Sequence, residues 1–272
     1  MEKENYFSSQ APTPKQPGMT FQSFSYTEAR EVWNPLSAKG IGLFFQIETG
    51  PADKVIQLVP DCCFDIIFCF GAKNSAHFFG PLEYQTPYTL RANCTYFGFR
   101  PYSITSMKRL KVPPSKLVHS DVDFDQQFSD LSIIDQMQEA STFKDRIRLM
   151  IDYAGRHMVD RDYKPGLVEH LELSMCRARG ALRLERLAER TGYTERHCRG
   201  SFKQRHGFSM KYYANIMRFQ HIVRLLTEPQ QVVPADVVFD SQMFDQSHLI
   251  HEFKKYTCHT PGDFRQAFSV SK

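Results

Sequence analysis

The chain has 272 residues, which is long enough for two domains that each bury a core of their own. Hydrophobic residues make up 42% of it and charged residues 24%, and no apolar run reaches the roughly 18 residues that span a bilayer, so we expect a soluble protein without a membrane partner. The net charge of +4 is unevenly distributed, because residues 1–160 hold 16 Lys and Arg against 18 Asp and Glu while residues 161–272 hold 18 against 12. An excess of basic residues in the C-terminal part favours an anionic partner there.

The first 20 residues combine acidic side chains with prolines, where a signal peptide needs a basic start and an apolar run. We therefore expect a cytoplasmic chain with a disordered leader over residues 1–20. The seven cysteines are odd in number and none forms a CxxC pair, so neither a disulfide framework nor a zinc finger is indicated. No cofactor and no metal are expected.

Short runs rich in Phe and Ile, such as IGLFFQI and CFDIIFCF, alternate with Gly, Pro and Asn from Phe21 to about Val118. Their length and spacing are typical of strands in a small sandwich or barrel. Over residues 124–158 the apolar residues recur every three or four positions, which predicts one or two amphipathic helices, interrupted near Ser141. Because this apolar stripe is longer than a small β domain needs to cover, residues 21–158 are interpreted as a β-rich regulatory domain with a helical dimerisation segment.

The charged stretch over residues 159–166 contains a Pro-Gly pair and predicts a linker. A helix is predicted over residues 168–179, ended by Gly180 in a left-handed conformation. Two short helices follow over residues 184–190 and 194–206, joined by a tight turn that contains glycine. Such a pair is typical of a helix-turn-helix unit, whose second helix enters the major groove of DNA.

The predicted core of this first unit contains six residues. The first three come from the first helix, the fourth from the turn and the last two from the second helix: Leu184, Leu187, Ala188, Tyr193, Cys198 and Phe202. Arg196, Arg199 and Lys203 then point away from the core. The stretch from Arg177 to Arg218 holds eleven basic residues against three acidic ones, a net of +8. A positive patch of this density attracts phosphates, although a solvated helix surface is the alternative interpretation.

A long helix is predicted over residues 210–226, with Ser209 as its N-cap. A weaker copy of the first unit follows, with a short helix from Pro234 to about Asp240 and a second helix over residues 245–256. The predicted core of this second unit is formed by Val237, Val238, Leu249 and Phe253. Residues 228–272 hold four basic and six acidic side chains, a net of −2, so the two units are expected to share the binding unequally.

Three segments resemble the AraC/XylS family of bacterial transcription regulators: LERLAERTGYTERHCRGSFKQRHGFS at residues 184–209, RFQHIVRLL at 218–226 and FDQSHLIHEFKKYTCHTP at 244–261. The resemblance implies an all-α domain over residues 167–268, in which a rigid helix joins two helix-turn-helix units that recognise one face of DNA. It also implies RNA polymerase as a partner. The sequence departs from the family at Arg183, where an N-cap Ser or Thr is usual, and at Val238, Gln242 and Cys258, where small residues or glycine are usual.

The candidate DNA-contacting residues are Thr194, Glu195, Arg196, Arg199 and Lys203 in the first unit and Gln246, Ser247, Ile250, His251 and Lys254 in the second. An arginine can donate two hydrogen bonds to guanine, glutamine suits adenine, and an isoleucine can contact the methyl group of thymine. The alternative for each is a contact with the phosphate backbone alone. For Cys198 a small buried core residue is favoured over a redox sensor.

The N-terminal segments LVPDCCFDIIFCFG, FFGP and FGFRP resemble a class of regulatory domains that precede such DNA-binding regions. The expected fold class is therefore α+β with two domains: an N-terminal all-β sensory or dimerisation domain with trailing helices, and a C-terminal all-α double helix-turn-helix DNA-binding domain. Arg100 is a candidate contact for an anionic effector, although a structural pair with Asp61 or Asp65 is favoured.

Two classes of function are considered for the whole chain. The first is a transcription regulator, for which an activator is favoured over a repressor. Its expected partners are duplex DNA, an unidentified small-molecule effector and a second copy of the chain. The second is an enzyme or a small-molecule binding protein built on the β domain, with the helical region as an accessory. The motifs favour the regulator.

Overall fold

The computed structural model describes residues 14–23, 25–31, 42–101, 103–104, 107–160, 164–227 and 246–268. Within these ranges the strands come first and the long helices follow, so the predicted α+β organisation is confirmed. None of the described helices is long and apolar enough to cross a membrane.

The strands of the N-terminal domain pair antiparallel in two sheets. The larger sheet has the order β1-β2-β7-β4-β5-β8, and the smaller one pairs β3 with β6. The strands are β1 Ser25–Glu31, β2 Gly42–Glu48, β3 Lys54–Leu58, β4 Asp65–Phe70, β5 Ser75–Phe79, β6 Thr86–Leu90, β7 Thr95–Pro101 and β8 Asp121–Asp123.

The helices lie at the start of the described chain and after the strands. They are α1 Pro17–Gln22, α2 Pro114–Leu117, α3 Phe124–Gln127, α4 Ser132–Glu139, α5 Phe143–Tyr153, α6 Leu167–Arg177, α7 Leu184–Glu189, α8 Glu195–His206, α9 Met210–Thr227, α10 Gln246–Thr257 and α11 Pro261–Phe268. A π-helical turn, Ala154–Met158, continues α5.

The central strand β4 is buried along its whole length because both faces of the larger sheet are covered. On one face Phe68 packs against Phe97 and Phe124, in a core that continues into the C-terminal helices. On the other face Ile67 and Phe45 belong to a separate core, which the smaller sheet and α1 cover. Because successive side chains of a strand point to opposite faces of the sheet, the same strands contribute residues to two separate cores.

The prediction of a disordered leader up to residue 20 is wrong for its last part, since α1 is ordered. Proline at the first helical position has a backbone angle that suits a helix start, and Pro17 occupies that position here. The side-chain amide of Gln16 donates to the carbonyl oxygen of Val59 and to Asp61 Oδ2, both at 2.7 Å. Met19 is buried in the second core. Residues 1–13 lie outside the described ranges.

The predicted dimerisation segment, residues 124–158, packs on the sheet of its own chain. Phe128 contacts Phe78, with ring centroids 5.7 Å apart, and Phe143 contacts Phe97 at 6.0 Å. Met137 and Met150 are fully buried. The stripe divides into α3, α4, α5 and the π-helical turn, which wrap around one sheet face, so its length gives no reason to expect a dimer.

The two domains are joined by hydrogen bonds between loops of the β domain and the C-terminal helices. Arg205 in α8 donates to the carbonyl oxygens of Ile104 and Met107, at 2.5 and 2.7 Å. Further along the chain, the main-chain carbonyl oxygen of Tyr256 in α10 accepts a hydrogen bond from the backbone N–H of Gln85 at 2.7 Å. The β domain therefore contacts elements of both halves of the C-terminal domain.

Candidate nucleic-acid interface

The first helix-turn-helix unit, α7 and α8, has the boundaries that its capping residues dictate. The Thr194 hydroxyl accepts a hydrogen bond from the backbone N–H of His197, which caps the N-terminus of α8. Gly207 ends α8 in the left-handed conformation, with φ of +86°. In the turn between the helices Gly192 has φ of +74°. The two ends of α8 and the turn before it therefore have the conformations that the predicted helix-turn-helix unit requires.

The core of this unit agrees with the prediction except at Tyr193. Cys198 and Phe202 are fully buried, and Leu187 and Ala188 of α7 are buried in the same core. Tyr193, however, is 52% exposed and stacks on His197, with ring centroids 4.9 Å apart. The left-handed turn at Gly192 precedes Tyr193, and the ring lies on the surface of α8. Its place in the predicted core was wrong.

Arg196, Arg199 and Lys203 are exposed on α8, as expected for residues that leave the core face. Arg199 forms an ion pair with Glu195 one turn earlier in the same helix. This pair holds the guanidinium against α8 and leaves it accessible to solvent, because both side chains are partly exposed. An exposed pair of this kind contributes only about 0.3–0.5 kcal/mol, so an anion can replace the carboxylate at little cost.

Gly200 lies on the same face of α8, four residues after Arg196 and three before Lys203. A methyl group added there would meet no atom within 4 Å, so packing inside the protein does not require glycine. Glycine in a helix interior costs stability relative to alanine. Arg196, Arg199, Gly200 and Lys203 are called the reading face below. Sequence reasoning missed Gly200, although a glycine between outward basic residues of a recognition helix was visible.

Helix α9 connects the two units and is packed along most of its length. Near its start Tyr213 contacts Phe202 of the first unit, with centroids 5.5 Å apart, and further on Phe219 contacts Phe253 of the second unit at 5.2 Å. Ser209 caps its N-terminus by accepting a hydrogen bond from the N–H of Tyr212 at 3.1 Å. The two units are therefore held on one rod, as the sequence predicted.

In the second unit Ser247, His251 and Lys254 are exposed on α10, while Ile250 is half-buried. Leu249 and Phe253 are buried, which confirms the described part of the predicted core. The side chain of Gln246 lies outside the described residues, as do the predicted helix Pro234–Asp240, Val237, Val238 and Gln242. Cys258, at a position where glycine is usual in the family, has φ of +59°, so a strained backbone is present there.

The basic residues between Arg177 and Arg218 do not form one continuous DNA-facing patch. Arg179 donates to the imidazole of His221 at 3.2 Å and Arg218 donates to the carbonyl oxygen of Gly180 at 3.0 Å. Arg205 binds the β domain. Four others line a groove between α6 and α7, and they are Arg177, Arg183, Arg186 and Arg190. The net charge of this stretch therefore overstates the charge that the reading face presents.

Behind α8 two titratable side chains are buried next to each other at the domain boundary. Glu172 of α6 accepts a hydrogen bond from the hydroxyl of Ser103 at 2.6 Å, and His206 Nε2 lies 3.7 Å from Glu172 Oε2. Burial raises the pKa of Glu172 to about 8. Burial, together with the neighbouring charge of Arg205, lowers the pKa of His206 to about 3. Both groups are therefore uncharged near pH 7.

Arg100 forms a buried ion pair in the β domain. Its Nε and one terminal nitrogen donate to the two oxygens of Asp65 at 2.7 and 2.6 Å, and the same terminal nitrogen lies 2.9 Å from Asp61. Burial alone would lower the pKa of Arg100, but the two carboxylates outweigh it and keep the guanidinium charged. This is the structural pair that the sequence favoured over an effector contact.

A family model described as a helix-turn-helix domain matches residues 187–267. The C-terminal domain, with its paired helices on either side of α9, is thus a DNA-binding helix-turn-helix domain. The match covers most of the motifs of residues 184–261, so the C-terminal domain has the DNA-binding region that those motifs predicted by their resemblance to AraC/XylS transcription regulators. Comparison with curated proteins gives no match.

Several solved structures of ToxT from Vibrio cholerae match this chain. The apo form is 8% identical, with a TM-score of 0.43 over 91% of this chain and 99% of that chain. A complex of ToxT with (E)-4-(8-methylnaphthalen-1-yl)but-3-enoic acid is 9% identical, with a TM-score of 0.44 over 91% and 100%. ToxT bound to an unsaturated fatty acid is 8% identical, with a TM-score of 0.40 over 90% and 96%. Likenesses this distant support no functional inference.

Proposed function

We propose that the chain is a sequence-specific activator that reads DNA mainly with the reading face of α8. The observation that carries this proposal is a rigid recognition helix, fixed by Thr194, Gly207 and a buried core, that exposes Arg196, Arg199 and Lys203 together. In this proposal Thr194 and Glu195, at the N-terminus of α8, contact the DNA beside these three residues. Each good arginine–guanine pair contributes about 1–3 kcal/mol of base discrimination.

The second unit contributes less than the first in this proposal. Its exposed candidates Ser247, His251 and Lys254 include one lysine, and the half-buried Ile250 leaves a small apolar surface for a thymine methyl. Gln246 belongs to the same helix and is the fifth candidate. An acidic net charge of −2 over residues 228–272 weakens its attraction to phosphates.

The test starts from binding sites enriched out of a random duplex library by the full chain. Arg199→Ala and Arg196→Ala should each lower specific affinity by about 1–3 kcal/mol and relax the base preference at one position. His251→Ala and Gln246→Ala should cost less. Larger losses from the second pair than from the first would show that the proposed division is wrong.

We further propose that the β domain senses a small-molecule effector and transmits its state through α9. Tyr212 of α9 donates to the carbonyl oxygen of Leu82 at 3.0 Å, and Gln220 of α9 donates to that of Pro60 at 2.7 Å. Leu82 and Asp61, the neighbour of Pro60, line a cavity of about 50 Å³ in the β domain. Ligand pockets are usually about 300–1,000 Å³, so an effector would have to move the cavity wall.

Arg100 would meet an anionic effector only if that effector displaced Asp61 or Asp65, so the geometry gives this role no support. The proposed partners beyond DNA are RNA polymerase and a second copy of the chain, and the proposed location is the cytoplasm. We place the boundary between the domains within residues 159–166. Sedimentation of the full chain with and without its DNA site tests the oligomeric state.

The competing function is an enzyme or a small-molecule binding protein with an accessory helical region. The two differ in counterion release, since a protein that binds phosphates loses affinity steeply with salt. The affinity of the full chain for random duplex DNA, measured from about 50 to 200 mM salt, should fall by roughly a factor of 10 or more if several phosphates are contacted. A flat salt dependence, or no binding, would favour the competing function.

A further inference from the structure

The groove between α6 and α7 is lined by cationic side chains on both edges. Its volume is about 820 Å³. Arg177 lies on the α6 edge, and Arg183, Arg186 and Arg190 lie on or next to α7, all four exposed. Within the described part of the chain none of these arginines has an ion-pair partner. The groove therefore holds four guanidinium groups that form no ion pair with the described residues.

The floor of the same groove is apolar. Leu173 of α6, Leu182 of the connecting loop and Leu187 of α7 line it, together with the small residue Ala178. Leu182 and Leu173 are half-buried, so part of their apolar surface faces the groove. An apolar floor with a cationic rim matches a ligand that is apolar on one side and acidic on its flanks.

The groove is separate from the reading face. All the residues that line it belong to α6, to α7 or to the chain next to them, whereas the reading face lies on α8. Duplex DNA held by Arg196 and Lys203 would meet α8, and DNA has no apolar side to cover Leu173 and Leu182. These two observations favour a protein partner over a second DNA contact.

We propose that this groove docks an acidic amphipathic helix of a partner protein. Arg183, Arg186 and Arg190 are spaced by three and four residues and so share one face, over a length of about 10 Å, or two helical turns. A partner helix with leucines along one face and glutamates beside them would place its leucines on the floor. Its carboxylates would then form charge-assisted hydrogen bonds with the arginines on both edges.

Fluorescence anisotropy with the full chain and a labelled synthetic peptide tests the proposal. The peptide carries leucine at helical spacing with flanking glutamates, and its two comparators replace either the glutamates by lysine or the leucines by serine. The double variant Arg186→Glu/Arg190→Glu should weaken binding of the first peptide at least tenfold. Arg109→Glu, a charge reversal at an exposed residue outside the groove, should change it less than twofold. Both comparator peptides should bind at least tenfold more weakly than the first.

Equal binding of the leucine and serine peptides would overturn the proposal, because the floor would then play no part. So would undiminished peptide binding by Arg186→Glu/Arg190→Glu. The affinity of the same variants for random duplex DNA tests whether the groove binds DNA instead. Arg186→Glu/Arg190→Glu should lose no more of this affinity than Arg109→Glu does. The proposal fails if the groove variant loses as much DNA affinity as Arg199→Ala and the peptide does not bind the unaltered chain. The groove would then be a DNA-binding surface.

Discussion

The phenolic hydroxyl of Tyr212, in the helix that joins the two DNA-binding units, donates a hydrogen bond to the main-chain carbonyl oxygen of Leu82 in the β domain. Tyr212→Phe would keep the ring but leave that carbonyl unpaired at the domain boundary. We expect a loss of about 0.5–1.5 kcal/mol in the free energy of unfolding. Tyr193→Phe, at a tyrosine that is half exposed, is the matched control and should change stability little. Urea unfolding of the full chain measures both, and equal effects would contradict the assigned contact.

Two left-handed glycines of the DNA-binding domain should respond differently to alanine. Gly192 has φ of +74° and open space where a methyl group would lie, whereas at Gly180, with φ of +72°, the methyl would overlap the carbonyl group of Ala214 in α9. Gly192→Ala should cost about 1 kcal/mol from backbone strain alone. Gly180→Ala should cost clearly more, because the loop that follows α6 must also move away from α9. Thermal unfolding of the two variants compares them, and similar losses would disprove the close approach.

Gly200→Ala should have opposite effects on stability and on DNA binding. Alanine in the interior of α8 should stabilise the free protein by about 0.5–1 kcal/mol, since no atom obstructs the added methyl group. The same methyl should weaken DNA binding if the helix backbone approaches the DNA between Arg196 and Lys203. Gly262→Ala in α11, where a methyl would also fit without strain, serves as the control and should leave DNA affinity unchanged. Unchanged DNA affinity in Gly200→Ala would exclude this close approach.

Glu172 should make the folded protein less stable as the pH rises towards its folded pKa of about 8. Its folded pKa of about 8 lies above the usual 4.5, so ionising it in the folded state costs free energy that the unfolded chain does not lose. The folded pKa of His206, about 3, lies below the usual 6.5, and its effect is complete by about pH 6.5. Between about pH 6.5 and 8 stability should therefore fall because of Glu172.

Glu172→Gln should remove this fall. The amide keeps the size of the side chain and can still accept the bond from Ser103, but it does not ionise. Midpoints of thermal unfolding from about pH 6.5 to 8 should decline for the unaltered chain and remain nearly level for the variant. Parallel declines in the two proteins would assign the pH dependence to other groups.

The boundaries of α8 and α9 could be predicted because single residues determine them, as Gly207 and Ser209 do here. The strands β1, β6 and β8 were not singled out, since they are short or half exposed and carry little apolar pattern. Tyr193 was misplaced because helical spacing does not indicate where a residue after a left-handed turn points. The sequence could count the arginines of the first unit but not separate the reading face from the groove, because that division depends on how α6 and α7 pack.

Gln220 is hydrogen-bonded to the main chain of two segments that the ribosome translates long before it. It accepts from the N–H of Lys15 and donates to the carbonyl oxygens of Lys15 and Pro60, across separations of 205 and 160 residues. At about 5–20 residues per second, roughly ten to forty seconds pass on the ribosome between the synthesis of Lys15 and that of Gln220. The β domain must therefore emerge with these groups unpaired. These groups are paired only when α9 arrives, so the β domain becomes complete during translation only after the first helix-turn-helix unit and α9 have been made.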